Sequence, residues 1–128
     1  MSISAVAHLV AGCRSSNRLI LVVWLTGLTT VSLLPLPMRR ALGTTGIWHD
    51  AGHLLCFAIT GFLFLQSRQS SGPFLLTIWP IVAFPFTLEC LEWAIYANRF
   101  EWKDVLADIL GLMVTVALSQ LRVSRTTR

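Results

Sequence analysis

The residues of this chain that could do chemistry gather at the ends of its apolar stretches. All six carboxylates fall at one end of those stretches, and two of the three histidines lie beside them. Acids and histidines grouped in this way can transfer protons, bind a cation or hold a polar ligand. The residues concerned are Asp50, Glu89, Glu92, Glu101, Asp104 and Asp108, together with His49 and His53.

The second apolar stretch begins with an acid and two histidines that helical spacing places on one face. His53 is three residues from Asp50 and four from His49, so all three can be neighbours on a helix. Asp50 also suits a helix N-terminus, and His49 suits the hydrated interface between membrane and water. His53 lies about 5 Å deeper, where a polar side chain must turn towards the interior of a helix bundle.

The third stretch carries Glu89 and Glu92, which are one helical turn apart. Two carboxylates this close raise each other's proton affinity, an arrangement used both for proton transfer and for cation binding. The spacing does not distinguish these two uses. Glu89 lies about 10 Å below the end of its stretch, which is too deep for an interface residue.

The fourth stretch presents a stripe of polar and then small residues at helical spacing. Such a stripe allows two helices to approach closely. It consists of Asp104, Asp108, Gly111 and Thr115. An ionised aspartate at the centre of a membrane helix costs about 2.5–3.5 kcal/mol, so the deeper Asp108 needs a partner. The candidate partners are His53, Arg99 and Lys103.

The composition predicts that membrane-spanning helices position these residues. Charged residues make up 12% of the chain, apolar residues 55%, and the mean hydropathy is +0.70. An average soluble domain has about 25% charged residues. We therefore expect an all-α membrane protein, and 128 residues leave room for a bundle of about four spans. The predicted spans are 19–36, 50–66, 74–96 and 104–121.

Basic residues predict the orientation of the bundle. With four spans, both termini and the middle loop share a side, which holds six of the ten lysines and arginines. The positive-inside rule places that side in the cytoplasm, so the acidic and histidine residues face outwards. The net charge of +4 is then explained by anionic lipid, and nucleic acid is not expected as a partner.

The segments that flank the bundle are the N-terminal 1–18 and the basic tail 122–128. We expect residues 1–18 to form a short interfacial helix on the cytoplasmic surface, with Arg14 and Arg18 at the headgroups. An alternative is lipidation of Cys13, because Val10 to Cys13 is similar to the cleavage box of bacterial lipoproteins.

An ordered set of motifs across the four predicted spans resembles the VanZ-like family. The set is Ser32-Leu33-Leu34-Pro35, Asp50-x-x-His53, Glu89-x-x-Glu92, and Arg99 followed by Asp104-x-x-x-Asp108-x-x-Gly111. The resemblance covers about residues 19–121 and implies a small multi-pass protein of the bacterial inner membrane. The family's namesake is associated with low-level resistance to the glycopeptide teicoplanin. Ala51, Glu92 and Asp108 depart from the residues common in the family, and the last two add acid.

Two functions remain open from the sequence. The first is a non-enzymatic envelope protein that binds a lipid headgroup, a cell-wall precursor or a protein partner. Its expected ligand-binding residues are Asp50, His53, Glu89, Glu92, Arg99, Asp104 and Asp108. The second is a small enzyme that acts on a lipid-linked substrate, with or without a metal. Its candidate catalytic residues are His53, Glu89 and Asp108, and its candidate metal ligands are His49, His53 and Glu89.

Overall fold

The structure is a computed structural model. Its secondary structure, in the part of the chain that it describes, is helical. The backbone is described for residues 3–44, 46, 48–68, 74–97 and 99–126, and side chains for 16–44, 46, 48–68, 78–97, 99–119 and 121. Within these ranges there are five α-helices and no strand. Helix α1 is Ile3–Ser32, α2 is Leu36–Ala41, α3 is His49–Ser67, α4 is Phe74–Tyr96 and α5 is Trp102–Thr126.

Helix α1 is longer than the sequence predicted. It passes without a break through residue 18, where we expected an interfacial helix to give way to the first span. The chain has no proline before Pro35, and a single glycine such as Gly12 weakens a helix by only about 1 kcal/mol. The predicted first span reached residue 36, but α1 ends at Ser32 because Pro35 follows. The side chain of Cys13, and with it the lipidation alternative, lies outside the described residues.

A short helix, α2, lies in the connection between the first and second predicted spans. Pro35 precedes it with extended backbone angles, and a further proline lies in its first turn, where the missing N–H costs nothing. The backbone N–H groups of Met38 and Arg39 both donate to the Pro35 carbonyl. Gly43 follows the helix with a φ of +69°, a left-handed angle that glycine adopts without strain.

Helices α3 and α5 run parallel and in close contact. A Cβ atom added at Gly111 would lie 2.3 Å from the carbonyl oxygen of Leu54, so only glycine allows this approach of α5 to α3. One turn further, the Thr115 hydroxyl donates a 2.7 Å hydrogen bond to the carbonyl of Ala58. The stripe predicted on the fourth stretch thus faces α3.

Helices α1 and α4 complete the bundle around a small apolar core. The indole N–H of Trp24 on α1 donates to the buried hydroxyl of Thr60 on α3 at 2.9 Å. The Tyr96 hydroxyl at the end of α4 donates to the Leu33 carbonyl after α1. Between the helices lie Phe57, Ile81, Leu88 and Leu112. We call the end of the bundle where α3 and α5 begin and α4 ends the acidic end.

Two helices in the described part of the chain are long and apolar enough to cross a membrane. They are His49–Ser67, with a mean hydropathy of 1.2, and Ile78–Tyr96, with 1.4. The predicted fourth span, 104–121, lies inside α5, which continues into the predicted basic tail as far as Thr126. Residues 127 and 128 are outside the described part.

Candidate functional site

A cavity of about 310 Å³ lies at the acidic end, within the size range of ligand-binding pockets. Its lining is mixed in chemistry. The apolar lining residues include Leu28, Val31, Phe57, Pro85 and Leu88. The polar lining residues include Arg39, Thr44, His49, His53, Glu89, Glu92 and Asp108. The cavity therefore offers an apolar surface and a set of charged groups to the same ligand.

Arg39 and Glu92 form an ion pair across the cavity, from α2 to α4. The distance from Arg39 Nη1 to Glu92 Oε2 is 2.5 Å, and each side chain is only 13% exposed. The same arginine nitrogen donates to the Ser32 carbonyl at 3.4 Å. The sequence pattern predicts Arg99, and not Arg39, as the arginine near the acids. Arg99 is exposed and is not among the cavity-lining residues.

The sequence does contain a signal for Arg39. Prolines at the start of a helix predict a turn that begins there, and Pro35 and Pro37 flank Leu36 just before Arg39. A helix that begins after Pro35 has regular backbone geometry and so fixes the positions of the side chains that follow. These prolines therefore predict that Arg39 lies one turn inside a helix.

Glu89 is buried, with 8% of its surface exposed, and it holds the α4–α5 connection. Its Oε1 accepts the backbone N–H of Glu101 at 2.6 Å. A hydrogen bond from an amide to a carboxylate is stronger than one between neutral groups, so this contact offsets part of the cost of burial. Glu89 also lines the cavity, and its role as a ligand-binding residue stays a prediction.

His49 bridges the α2–α3 connection and α5. Its Nδ1 lies 2.9 Å from the carbonyl oxygen of Thr44, and its Nε2 lies 3.2 Å from Asp104 Oδ2. A carbonyl oxygen only accepts, so Nδ1 carries the proton of that bond. Nε2 then faces a carboxylate oxygen, and the contact requires a second ring proton, a proton on Asp104 or a cation between the two atoms.

His53 and Asp108 form the deepest ionisable pair of the site. His53 Nδ1 lies 2.9 Å from Asp108 Oδ1, and the side chains are 21% and 5% exposed. His53 was one of the three partners that the sequence analysis proposed for Asp108. The rings of His49 and His53 meet edge to face, with centroids 4.5 Å apart.

Asp50 lies outside the cavity, although the sequence analysis included it among the ligand-binding residues. Its side chain is 64% exposed and lies 3.7 Å from Lys103 Nζ. Lys103 also contacts Glu101 at 3.3 Å, and this hydrogen bond raises the pKa of the lysine. These contacts are on the surface of the acidic end, where an ion pair contributes little to stability.

Three side chains at the acidic end are close enough to share a metal ion. One possible ligand atom from each of His49, His53 and Asp104 lies within 4.8 Å of the others. The sequence analysis proposed Glu89 as the carboxylate beside the two histidines. The structure places Asp104 there, because the parallel packing of α3 and α5 aligns Asp104 with His49, whereas Glu89 contacts the Glu101 amide.

Comparison of the chain with protein-family models, with curated proteins and with solved structures gave no match in any of the three.

Proposed function

We propose that this protein is a multi-pass membrane protein of the bacterial inner membrane that binds an amphipathic, lipid-type ligand in the cavity at its acidic end. The observation that carries the proposal is the cavity itself, whose lining combines apolar and charged side chains around one space. The apolar part of the ligand packs against Leu28, Val31 and Leu88. Its headgroup meets the charged residues of the same lining.

The distribution of apolar side chains supports a bundle of four membrane-spanning helices. Large apolar residues are exposed on α1 and α5 as well as on the two helices that pass the length and hydropathy test, for example Leu19 at 65%, Val23 at 63% and Met113 at 61%. The buried residues include Thr60, Glu89 and Asp108. A soluble monomer rarely exposes so much apolar surface while burying charge, and lipid tails provide the matching solvent.

The charged lining residues indicate the chemistry of the headgroup. Arg39 is the one arginine or lysine among the described residues of the lining, and it is already paired with Glu92. Glu89 and Asp108 add acceptor oxygens, so the lining favours a headgroup rich in donors, such as hydroxyl, amide or ammonium groups. Lipid-linked cell-wall precursors carry such groups, and the VanZ-like resemblance, with its link to glycopeptide resistance, supports the same class of ligand.

The cavity can be filled without removing any charge. Gly52 on α3 lines the cavity, and a Cβ atom added there meets nothing within 4 Å. We expect Gly52→Leu to fold normally, since leucine favours a helix over glycine by roughly 1 kcal/mol, and to lose most of the retained lipid. The matched control is Gly27→Leu on α1, which has equal space and does not line the cavity.

The measurement is mass spectrometry of the lipids that remain bound after purification in mild detergent. Wild-type protein and Gly27→Leu should retain the same lipid species in similar amounts, and Gly52→Leu should retain much less of it. Equal retention by the two glycine variants would show that the bound lipid is annular and that the cavity is not its site.

A further inference from the structure

We propose that His49, His53 and Asp104 bind a divalent transition-metal ion of the zinc class at the junction of α3 and α5. Two imidazole nitrogens and a carboxylate oxygen are a donor set that Zn²⁺ takes in proteins, and three protein ligands leave a fourth position open. The proposal does not rest on lipid binding, because it is argued from the contacts of the three side chains with one another and with Thr44 and Asp108.

The spacing of the ligand atoms suits a small ion. Ligands bonded at about 2.0–2.1 Å to a tetrahedral ion lie about 3.3 Å from one another. His49 Nε2 and Asp104 Oδ2 are 3.2 Å apart, and the ligand atoms of all three residues are within 4.8 Å.

Both histidines are oriented as metal ligands usually are. In metal sites the ring nitrogen that does not touch the ion is held by a carbonyl or a carboxylate, which sets the tautomer. Here Nδ1 of His49 is held by the Thr44 carbonyl at 2.9 Å, and Nδ1 of His53 by Asp108 at 2.9 Å. Nε2 of each ring is thereby left for an ion. Asp108 is then a positioning residue, and this role explains why it is buried beside Asp104.

Asp104 supplies an independent observation that points to a missing ligand. Its side chain is only 8% exposed, and its Oδ1 is buried without a hydrogen-bond partner among the described residues. A buried carboxylate oxygen without a donor is costly. A cation bound by both oxygens of the Asp104 carboxylate would satisfy Oδ1, and would also remove the need for a second proton on His49.

The competing explanation is that the histidines are protonated and simply hold two helices together by ion pairs. The two explanations differ in what the purified protein binds. Full-length protein in detergent is stripped with a chelator and then titrated with Zn²⁺ alone, and separately with Co²⁺, whose visible spectrum reports its coordination. We expect one ion per chain and a spectrum of low-coordinate Co²⁺ with nitrogen and oxygen ligands.

Single substitutions distinguish the residues that bind the metal ion from the residue that positions them. Asp104→Asn and His49→Asn should each weaken Zn²⁺ binding by at least about 100-fold, and Asp108→Asn by about 10–100-fold, since it acts through His53. Glu101→Gln is the matched control: it removes a carboxylate from the same end whose side chain pairs with the exposed Lys103, and it should bind as the wild type does. Circular dichroism and gel filtration establish that each variant is folded.

Wild-type protein that binds neither Zn²⁺ nor Co²⁺ above background overturns the proposal, and this result does not depend on the folding of any variant. A folded Asp104→Asn protein with the affinity of Glu101→Gln overturns it as well. Neither result bears on lipid retention, so the metal site and the lipid site can fail separately.

Discussion

At the scale of single residues, four acids of this protein that are largely removed from solvent each have a distinct partner. Asp108 contacts His53, Asp104 contacts His49, Glu92 contacts Arg39, and Glu89 accepts a backbone N–H. Charges removed from water are tolerated only when they are paired or hydrogen-bonded, and deletion of one partner leaves the other uncompensated. Each pair is therefore expected to respond more strongly to a single substitution than to the joint removal of both partners.

The Arg39–Glu92 pair gives the first prediction. Arg39→Met should lower the free energy of unfolding by about 3 kcal/mol, because it leaves the Glu92 carboxylate in a site that is 13% exposed with no opposite charge. The double variant with Glu92→Met should recover most of the loss, and Arg40→Met, at the exposed neighbouring position, should have little effect. Thermal or denaturant unfolding in detergent measures all three. A double variant no more stable than Arg39→Met would contradict the pairing.

Glu89 allows charge to be separated from hydrogen bonding. Glu89→Gln keeps an oxygen that can accept the Glu101 N–H, so the stability of the protein should change by less than about 1 kcal/mol. If the carboxylate binds the ligand headgroup, lipid retention and glycopeptide sensitivity of a strain that depends on the protein should both change. Membrane abundance is the control. Normal abundance with unchanged lipid and unchanged sensitivity would argue that Glu89 only holds the α4–α5 connection.

At the scale of elements, the site depends on the contact between α3 and α5. The two helices run parallel, so that residues 55 positions apart in sequence face each other, as His49 faces Asp104 and His53 faces Asp108. Gly111 lies one turn beyond Asp108 and allows the two backbones to approach. The small residue therefore sets the distance at which the histidines and aspartates meet.

Replacement of Gly111 tests this contact. Gly111→Ala should destabilise the protein by about 1–3 kcal/mol, because its Cβ would lie 2.3 Å from the Leu54 carbonyl oxygen and α5 must move away. Gly27→Ala is the control, since it has open space and should stabilise α1 by up to about 1 kcal/mol. Melting temperatures in detergent distinguish the two. A Gly111→Ala protein as stable as Gly27→Ala would mean that the helices are not in close contact.

The bounds of α3 and α4 and one face of α5 could be predicted from the sequence, because each depends on a pattern of neighbouring residues. Apolar length indicated α3 and α4 within one residue of their bounds, and helical spacing grouped Asp104, Asp108 and Gly111. The Arg39–Glu92 pair could not be predicted in this way. Its partners are 53 residues apart, on elements whose relative position depends on packing of the whole bundle. The continuity of α1 through residue 18 does not follow from hydropathy, because polar residues interrupt an apolar stretch without breaking a helix.

At the scale of the whole molecule, the order of the helices constrains the topology. Asn17 on α1 contacts Gln66 on α3, and Trp24 contacts Thr60, so these helices run antiparallel. Helix α5 is parallel to α3, and α4 lies between them in sequence. Four long helices that alternate in direction bring the start of α1 and the end of α5 to the side opposite the acidic end.

The final prediction is that this shared side is cytoplasmic. Six of the ten lysines and arginines belong to the two ends and the middle connection, and Trp48, Trp93 and Trp102 are exposed at the acidic end, as expected for residues at a membrane interface. Green fluorescent protein fused after Ser70 or at the C-terminus should fluoresce. Alkaline phosphatase fused at Glu101 should be active, and the same reporter at the C-terminus should not. Phosphatase activity at the C-terminus would reverse the orientation and direct the cavity to the cytoplasm. In that case the ligand would have to be sought among lipids of the inner leaflet.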